Sequence, residues 1–141
     1  MRKKILFPLT ALLLAAFLIF SGCTTTSDGC DSMTIQLNDG SQISDSINVY
    51  GYSKIYSIHV PSGTSSLTVV LDNLQADFDL YVGYGSLDSI QGEDYDWRSN
   101  NEGTVADSIT VNNPQAGCYY IQITDYNNEG GSFSLVANAY N

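Results

Sequence analysis

The sequence predicts an all-β domain, an antiparallel β-sandwich of jelly-roll-like type with about eight strands. Three observations support this fold class. Apolar and polar residues alternate along short runs, which is the period of a strand with one buried face. Gly, Asn, Asp and Pro separate these runs, as turns between strands require. After residue 33, no segment keeps the period of an amphipathic helix.

Side-chain parity assigns the inward residues of each predicted strand in chain order. The first two runs, 35–37 and 42–43, flank Asp39-Gly40, a dipeptide that favours the tight turn of a β-hairpin. The later inward sets are Tyr56, Ile58 and Val60; Leu67, Val69 and Leu71; Phe78, Leu80 and Val82; Ile109 and Val111; Tyr119, Ile121 and Ile123; and Phe133, Leu135 and Ala137. Residues assigned to the outer faces include Ser57, His59, Asp77, Asp79, Tyr81 and Tyr120.

The first twenty-three residues have the layout of an export signal. Three basic residues, Arg2 to Lys4, precede an apolar run, Ile5 to Phe20, that is short for a membrane span. This layout predicts a secretory signal peptide over residues 1–22. Cys23, directly after Ser-Gly, makes the junction similar to the lipobox of bacterial lipoproteins, although Phe20 stands where that pattern prefers Leu. The alternative is an ordinary signal peptide followed by an unrelated cysteine.

The lipobox resemblance implies that the Cys23 thiol receives a diacylglycerol and anchors the exported chain to a bacterial membrane. Two or more acyl chains hold a protein stably at a bilayer, whereas one does so only marginally. Thr24 stands where Asp is associated with inner-membrane retention in enteric bacteria, so the outer membrane or cell surface is favoured. Residues 23–32 contain mainly Thr, Ser, Asp and Gly, which predicts a flexible tether. Residues 33–141 form the predicted domain.

The charge of the chain excludes one class of partner. Removal of the signal would leave 119 residues, with Lys54 and Arg98 against fifteen acidic residues, a formal net charge of about −13. Phosphate binding requires clustered Lys and Arg, so the sequence excludes nucleic-acid binding. An acidic surface attracts divalent cations or basic partners, and it also keeps a protein soluble.

Export would place the two remaining cysteines, Cys30 and Cys118, in a compartment where disulfides form. Their pairing would close a loop of 88 residues and attach the tether to the domain. Pairing is the simplest interpretation of these two residues, and two free buried thiols are the alternative.

Short motifs follow one another along most of the predicted domain. They are Leu37-Asn-Asp-Gly40, Tyr56-Ser-Ile-His-Val-Pro-Ser-Gly63, Leu67-Thr-Val-Val-Leu71, Asp77-Phe-Asp-Leu-Tyr-Val82 with Gly85 after it, Tyr95-Asp96, Gly117-Cys-Tyr-Tyr-Ile121 and Ser132-Phe-Ser-Leu135. In this order they resemble the bacterial pre-peptidase C-terminal domain, a β-sandwich related to the collagen-binding modules of clostridial collagenases. Two positions depart from the family pattern: Trp97 stands where many members carry a cysteine, and Cys118 stands where Thr is usual. The family normally accompanies a peptidase, whereas here the module follows a lipidation signal.

The residues do not support catalysis. The one histidine, His59, is assigned to an outer strand face, and no Ser lies in a nucleophile elbow. Among fifteen acidic residues, pairs such as Asp77 and Asp79 arise by chance and do not indicate glycoside hydrolysis. The sequence therefore predicts a protein that is not an enzyme.

Acidic clusters make calcium the candidate cofactor, and no other is expected. Asp77 and Asp79 share a strand face, while Asp94 and Asp96 lie with Glu93 in a nearby loop. Calcium takes several carboxylate and carbonyl oxygens, and the resemblance adds that related collagen-binding domains bind it. The alternative is that these carboxylates accept hydrogen bonds from backbone N–H groups of adjoining loops.

Five aromatic residues form the candidate ligand surface: Tyr81, Tyr84, Tyr95, Trp97 and Tyr120. Exposed aromatic patches mark binding sites, although cross-strand packing is an alternative role. The sequence therefore favours a membrane-anchored binding or interaction module for extended protein or polysaccharide, with calcium dependence as a further expectation. A second hypothesis makes it an accessory or chaperone-like partner of a secreted peptidase.

Overall fold

The computed structural model describes residues 29–91 and 94–141, which form nine strands and one short 3-10 helix. The strands are β1 (Ile35–Gln36), β2 (Ile43–Ile47), β3 (Ser53–Val60), β4 (Ser66–Asp72), β5 (Phe78–Tyr84), β6 (Trp97–Ser99), β7 (Asp107–Asn112), β8 (Gly117–Asp125) and β9 (Gly131–Tyr140). The 3-10 helix, Leu87–Ile90, lies between β5 and β6. The predicted signal peptide, Cys23, most of the predicted tether and Glu93 lie outside the described residues.

The strands form two sheets that pack face to face, which confirms the predicted β-sandwich. Sheet A has the order β1-β3-β8-β5-β6, and sheet B has the order β2-β9-β4-β7. The pairs are antiparallel apart from β1 with β3, which is parallel. Most strands that are neighbours within a sheet are distant in sequence. The sites described below are therefore assembled from segments that are far apart along the chain.

The core lies between the two sheets and contains every residue assigned to an inward set after β2. These residues are buried because alternate side chains of each strand face the opposing sheet. The largest rings meet edge to face. The Phe133 ring centroid lies 5.5 Å from that of Phe78 and 6.4 Å from that of Tyr56. The alternation of the sequence therefore predicted the core correctly.

The turn at Asp39-Gly40 exists, but the predicted hairpin around it is wrong. The Ser41 N–H donates to the Asn38 carbonyl at 3.0 Å, and Gly40 has a φ of 68°. The strands on either side belong to different sheets, since β1 pairs with β3 and β2 pairs with β9. Asp39 Oδ1 accepts the Ala139 N–H at 2.7 Å, which attaches the turn to β9. The turn therefore carries the chain from one sheet to the other.

The amino-terminal segment is attached to the outer face of sheet A. Cys30 and Cys118 form a disulfide with their Cα atoms 5.5 Å apart, so the pairing considered from the sequence is confirmed. The Asp31 N–H donates to the Tyr120 hydroxyl at 3.3 Å, and Asp31 also closes a turn with Thr34. Residues 30–32, assigned to the tether, are therefore part of the domain surface.

Within the described part of the chain, no helix has the length and apolar character needed to cross a membrane.

Candidate functional site

The outer face of β5 brings a predicted acidic residue and a predicted aromatic residue together. Asp79 and Tyr81 point to the same side because they are two positions apart on the strand. The Tyr81 hydroxyl donates to Asp79 Oδ2 at 3.1 Å. Asp79 is 8% exposed, whereas Tyr81 is half-buried. The predicted metal-ligand residues and the predicted aromatic surface thus meet on β5.

Tyr95 and Arg98 extend this surface towards β6. Tyr81 lies opposite Arg98 in the β5–β6 register, and the Tyr81 and Tyr95 ring centroids are 4.9 Å apart. Arg98 Nη1 donates to the Tyr95 hydroxyl at 3.1 Å, and the Arg98 guanidinium carbon lies 6.0 Å from the Tyr95 ring centroid. Tyr81 and Tyr95, named here the tyrosine pair, therefore present two adjoining rings beside an exposed cation.

A pocket of about 350 Å³ opens at the amino end of β5. Its lining consists of Asp77, Asp79, residues 100–102, Tyr126 and Asn127. We name it the acidic pocket.

Hydrogen bonds to the side chain and the backbone of Asp77 bring the segments that line the acidic pocket together. Asp77 Oδ1 accepts the Gly103 N–H at 2.9 Å, and the Tyr126 N–H donates to the Asp77 carbonyl at 2.9 Å. Gly103 has a φ of 74°, which few side chains tolerate. Asp77 therefore joins the 100–103 loop and the end of β8 to the start of β5.

A second buried carboxylate lies behind the acidic pocket. Asp107, at the start of β7, is fully buried, and its Oδ1 accepts hydrogen bonds from the Ser99 hydroxyl and from the Asn101 N–H at 3.0 Å. Its Oδ2 has no hydrogen-bond partner among the described residues. The sequence reasoning missed Asp107, because its parity with Ile109 and Val111 marks it only as an inward position.

The electrostatics of the acidic pocket disfavour negative charge on Asp79. Burial raises the pKa of Asp79, the carboxylates of Asp77 and Asp107 raise it further, and the hydrogen bond from Tyr81 and the charge of Arg98 oppose the rise. Burial and the Asp79 carboxylate raise the pKa of Tyr81 to about 12. Tyr81 therefore stays a hydrogen-bond donor at neutral pH.

Asp94 and Asp96 do not join Asp77 and Asp79. Asp96 Oδ2 accepts the Tyr84 N–H at 2.8 Å, which places it at the opposite end of β5, while Asp94 is exposed. Asp79 and Tyr84 are five positions apart along the strand, or about 16 Å. Within residues 29–91 and 94–141, no group of three or more His, Cys, Asp or Glu side chains could hold a metal ion. Calcium binding stays a prediction.

Tyr84 and Trp97 pack against the core instead of joining the tyrosine pair. Their ring centroids lie 5.0 Å and 6.1 Å from that of the buried Tyr119. The Tyr84 hydroxyl donates to the Ala116 carbonyl at 2.9 Å. These aromatics flank a second pocket, of about 240 Å³, at the other end of the sandwich.

The prediction that Tyr120 is exposed is wrong. Tyr120 faces outward as its parity requires, but it is only 4% exposed. The segment at Asp31 covers it, beside the disulfide at Cys118, and the 3-10 helix packs against the same strand. Residues that the sequence analysis assigned to a tether thus cover the outer face of β8, which the alternation of side chains alone would predict to be exposed.

Four exposed tyrosines were missed from the candidate surface, and three of them lie close together, whereas Tyr140 ends β9 in the other sheet. Tyr50 and Tyr52, in the β2–β3 loop, are 77% and 69% exposed, and Tyr126 is 69% exposed. Tyr50 adopts a φ of 66°, which is uncommon for an aromatic residue. The Asp125 N–H donates to the Tyr52 carbonyl at 3.1 Å, so the β2–β3 loop lies next to Tyr126. The sequence did contain a signal for this exposure, because Tyr50 and Tyr52 lie in a short segment with Asn48 and Gly51, residues that are typical of surface loops.

Comparisons with known proteins agree with this architecture. The model of a family described as the bacterial pre-peptidase C-terminal domain matches residues 52–125. The pre-peptidase C-terminal domain of a Bacillus anthracis collagenase has a similar structure, with a TM-score of 0.58, 17% identity, and coverage of 74% of this chain and 94% of that one. PliG of Aeromonas hydrophila, a periplasmic inhibitor of g-type lysozyme, has a TM-score of 0.56 at 16% identity, with the same coverage. No curated protein matches the sequence. The chain belongs to the bacterial pre-peptidase C-terminal domain family.

Proposed function

We propose that this protein is a non-catalytic binding module that a lipid on Cys23 holds at a bacterial outer membrane or cell surface. Its ligand is an extended protein or a polysaccharide. The observation that carries this proposal is the tyrosine pair with Arg98 on the outer face of sheet A. Membership of the pre-peptidase C-terminal family supports it, because such domains accompany enzymes that act on macromolecules.

The tyrosine pair has the chemistry for an extended ligand. Tyrosine rings provide a large contact area with little loss of side-chain entropy, and their hydroxyl groups form hydrogen bonds at the edge of the contact. The rings of Tyr81 and Tyr95 lie side by side and are half-buried, so their positions are largely set before binding. Arg98 is exposed and adds donors that carbonyl or hydroxyl oxygens accept.

The placement of His59 supports the absence of catalysis. His59 is the one histidine of the chain, and it lies on the outer face of β3 in register with Cys118. Cys118 is bonded to Cys30, so its thiol cannot act as a nucleophile beside His59.

Binding of the full chain to gelatin beads, to insoluble peptidoglycan and to cellulose tests the module function. We expect saturable binding to at least one of them, and Tyr95→Ala should weaken it about tenfold, as loss of a central aromatic contact does. Tyr140→Ala is the matched control, because Tyr140 is 51% exposed at the end of β9 in the other sheet. Equal losses in both variants, or no binding to any of the three materials, would contradict the proposal.

The anchor is tested by fractionation of cells that express the full chain. Cys23→Ser removes the thiol that would carry the lipid, so the protein should leave the membrane fraction. Continued sedimentation of the variant with membranes would exclude lipidation of Cys23 as the means of attachment.

An accessory or chaperone-like role for a secreted peptidase is the second candidate function. The family description favours it, and the structural likeness to a lysozyme inhibitor shows that this fold occurs in a protein that acts on an enzyme. Deletion of the gene for the present protein would then lower the activity of secreted peptidases in the culture medium. Unchanged activity would leave the binding module as the remaining function.

A further inference from the structure

We propose that the outer face of sheet A binds an extended polypeptide that lies across the strands and presents an apolar side chain and a carboxylate four residues apart. This inference rests on the proposed binding function and selects one of the two ligand classes given there. The floor of the site is one cross-strand row of side chains, which we name the open row: Ile55 of β3, Gln122 of β8, Tyr81 of β5 and Arg98 of β6.

The strand register places the open row in a line. Gln122 lies opposite Ile55 on one side and opposite Tyr81 on the other, and Tyr81 lies opposite Arg98. Neighbouring strands are about 4.8 Å apart, so the three steps span about 14 Å, and four residues of an extended polypeptide cover about 13 Å. Side chains four positions apart in such a chain point to the same side. One extended ligand would therefore reach both ends of the row.

The next row of the same face is covered and forms a wall beside the open row. It consists of Ser57, Tyr120 and Gly83, which are also in register. The Thr34 hydroxyl lies 2.6 Å from that of Ser57, and Tyr120 is 4% exposed beneath the amino-terminal segment. A Cβ on Gly83 would lie 2.2 Å from the Ser89 carbonyl oxygen, so the 3-10 helix rests directly on this position. The wall therefore directs a ligand along the open row.

The centre of the open row carries an amide side chain that is available to a ligand. Gln122 is half-buried. The tyrosine hydroxyls at neighbouring positions are bonded elsewhere, because Tyr81 donates to Asp79 and Tyr120 accepts the Asp31 N–H. A primary amide offers both donors and an acceptor, which are the complement of one peptide unit. Gln122 therefore suits the backbone of an extended polypeptide.

The end of the open row carries a cation that suits a carboxylate. Among the described residues, Lys54 is paired with Asp45, whereas Arg98 forms no ion pair. Arg98 is exposed and donates one hydrogen bond to the Tyr95 hydroxyl, so further N–H groups of its guanidinium can receive a carboxylate. The rest of the chain is strongly acidic and repels a uniformly acidic ligand. The ligand carboxylate should therefore be an isolated one.

The two ends of the open row favour a polypeptide over a polysaccharide. Ile55 is half-buried and leaves apolar surface on which an apolar side chain can pack. A neutral polysaccharide presents mainly hydroxyl groups and gains little from Ile55 or from the charge of Arg98. A polypeptide supplies an apolar side chain, a peptide unit and a carboxylate in one extended segment.

An NMR titration of the full chain with two capped peptides tests the inference. The peptides are Leu-Ser-Pro-Ala-Glu and its reverse, Glu-Ala-Pro-Ser-Leu, which cover both chain directions. We expect at least one of them to shift the side-chain amide of Gln122 and the backbone amide of Ile55 until they saturate. The same peptide with Gln in place of Glu should bind about three- to fivefold more weakly, because it cannot pair with Arg98. Arg98→Gln should remove this difference between the two peptides.

Gln122→Met removes the amide at similar side-chain length and should raise the Kd of the Glu peptide about fivefold. Gln42→Met is the matched control, because Gln42 is exposed and precedes β2 of the other sheet. Chitohexaose, a neutral oligosaccharide, should leave the open row unshifted.

Four results would overturn the inference: no shift with either peptide, shifts of the same resonances by chitohexaose, a preference for Glu that survives Arg98→Gln, and equal weakening by Gln42→Met. The proposed function fails separately. If the peptides leave the open row unshifted while Tyr95→Ala still weakens binding to gelatin, peptidoglycan or cellulose, only the present inference is wrong. Absence of binding to the peptides and to all three materials would contradict both.

Discussion

At the scale of single residues, two aspartates lie in surroundings that shift their pKa in opposite directions. Asp45 lies between the sheets, where its oxygens accept Lys54 Nζ at 2.6 Å and the Tyr56 hydroxyl at 2.8 Å. Asp79 has the Tyr81 hydroxyl as its donor and two carboxylates nearby. The surroundings of Asp45 favour its charged form, whereas those of Asp79 disfavour it. The stability of each variant should show this difference.

Asp79→Asn should stabilise the protein at pH 7. The folded state holds the pKa of Asp79 above its ordinary value of 3.8, so the folded state binds this proton more tightly and loses stability as pH rises through that interval. An amide removes the charge and still accepts the Tyr81 hydroxyl. We expect a gain of about 0.5–2 kcal/mol in the free energy of unfolding at pH 7, measured with urea. The gain should shrink below pH 3.8, and a loss at pH 7 would show that the fold needs this charge.

Asp45→Ala should destabilise the protein by about 1–3 kcal/mol at pH 7, because it leaves the buried Tyr56 hydroxyl unpaired. Burial acts to raise the pKa of Asp45, but hydrogen bonds from Lys54, Tyr56 and the Ser46 N–H, with the Lys54 charge, lower it overall. A lowered folded pKa gives stability that is present above the unfolded value and disappears as pH falls below about 3.8.

The control for Asp45 is Lys54→Met, since the Lys54 side chain is 34% exposed. This variant removes the ion pair but keeps the hydrogen bond to Tyr56, so we expect a loss of only about 0.2–1 kcal/mol. Urea unfolding of both variants from pH 7 to pH 2 measures the two effects. Equal losses would mean that the hydrogen bond from Tyr56 contributes little.

At the scale of elements, local signals predicted the strands better than their partners. The inward sets were correct because alternation along a strand is a property of that strand alone. The Asp39-Gly40 signal predicted a turn but not a hairpin, since the same turn also suits a corner between sheets. Gly83 is a further example. A Cβ there would collide with the backbone of Ser89 in the 3-10 helix, so a glycine inside β5 marks a close approach that only the fold reveals.

The amino-terminal segment should lose its attachment when the disulfide is removed. The double variant Cys30→Ser with Cys118→Ser opens a loop of 88 residues, and chain entropy predicts a loss of about 4–5 kcal/mol in unfolding free energy. Urea unfolding of this variant and of wild type measures the loss, and non-reducing mass analysis confirms the bond in wild type. Because the segment covers Tyr120, hydrogen exchange at β8 should also rise in the variant. Unchanged stability and exchange would show that non-covalent contacts alone hold the segment.

At the scale of the whole molecule, excess negative charge is the dominant property. The chain carries fifteen acidic residues against five basic ones, and three of the five precede residue 5. Such a surface attracts cations of any kind, which raises local concentration without specifying a site. Net charge alone therefore does not identify a binding site on this protein.

Thermal unfolding of the full chain in calcium and in chelator tests the calcium binding expected from the sequence. A calcium ion at hundredfold excess over its Kd would add about 2.7 kcal/mol and raise the midpoint by several degrees. The hydrogen bonds that Asp77 and Asp96 already accept from backbone N–H groups favour an unchanged midpoint. A clear rise would establish the calcium dependence expected from the sequence.

The sequence alone determined eight of the nine strands, their inward faces and the family motifs, because alternation and turn chemistry act over a few neighbouring residues, whereas the three-residue β6 was not predicted. It also identified Asp77, Asp79, Tyr81 and Tyr95, which the fold places on one surface. Only the tertiary structure decided that Asp96 lies at the other end of β5 and that Tyr120 is covered. Proximity and burial depend on which distant segments pair, and pairing is settled by the packing of the whole chain.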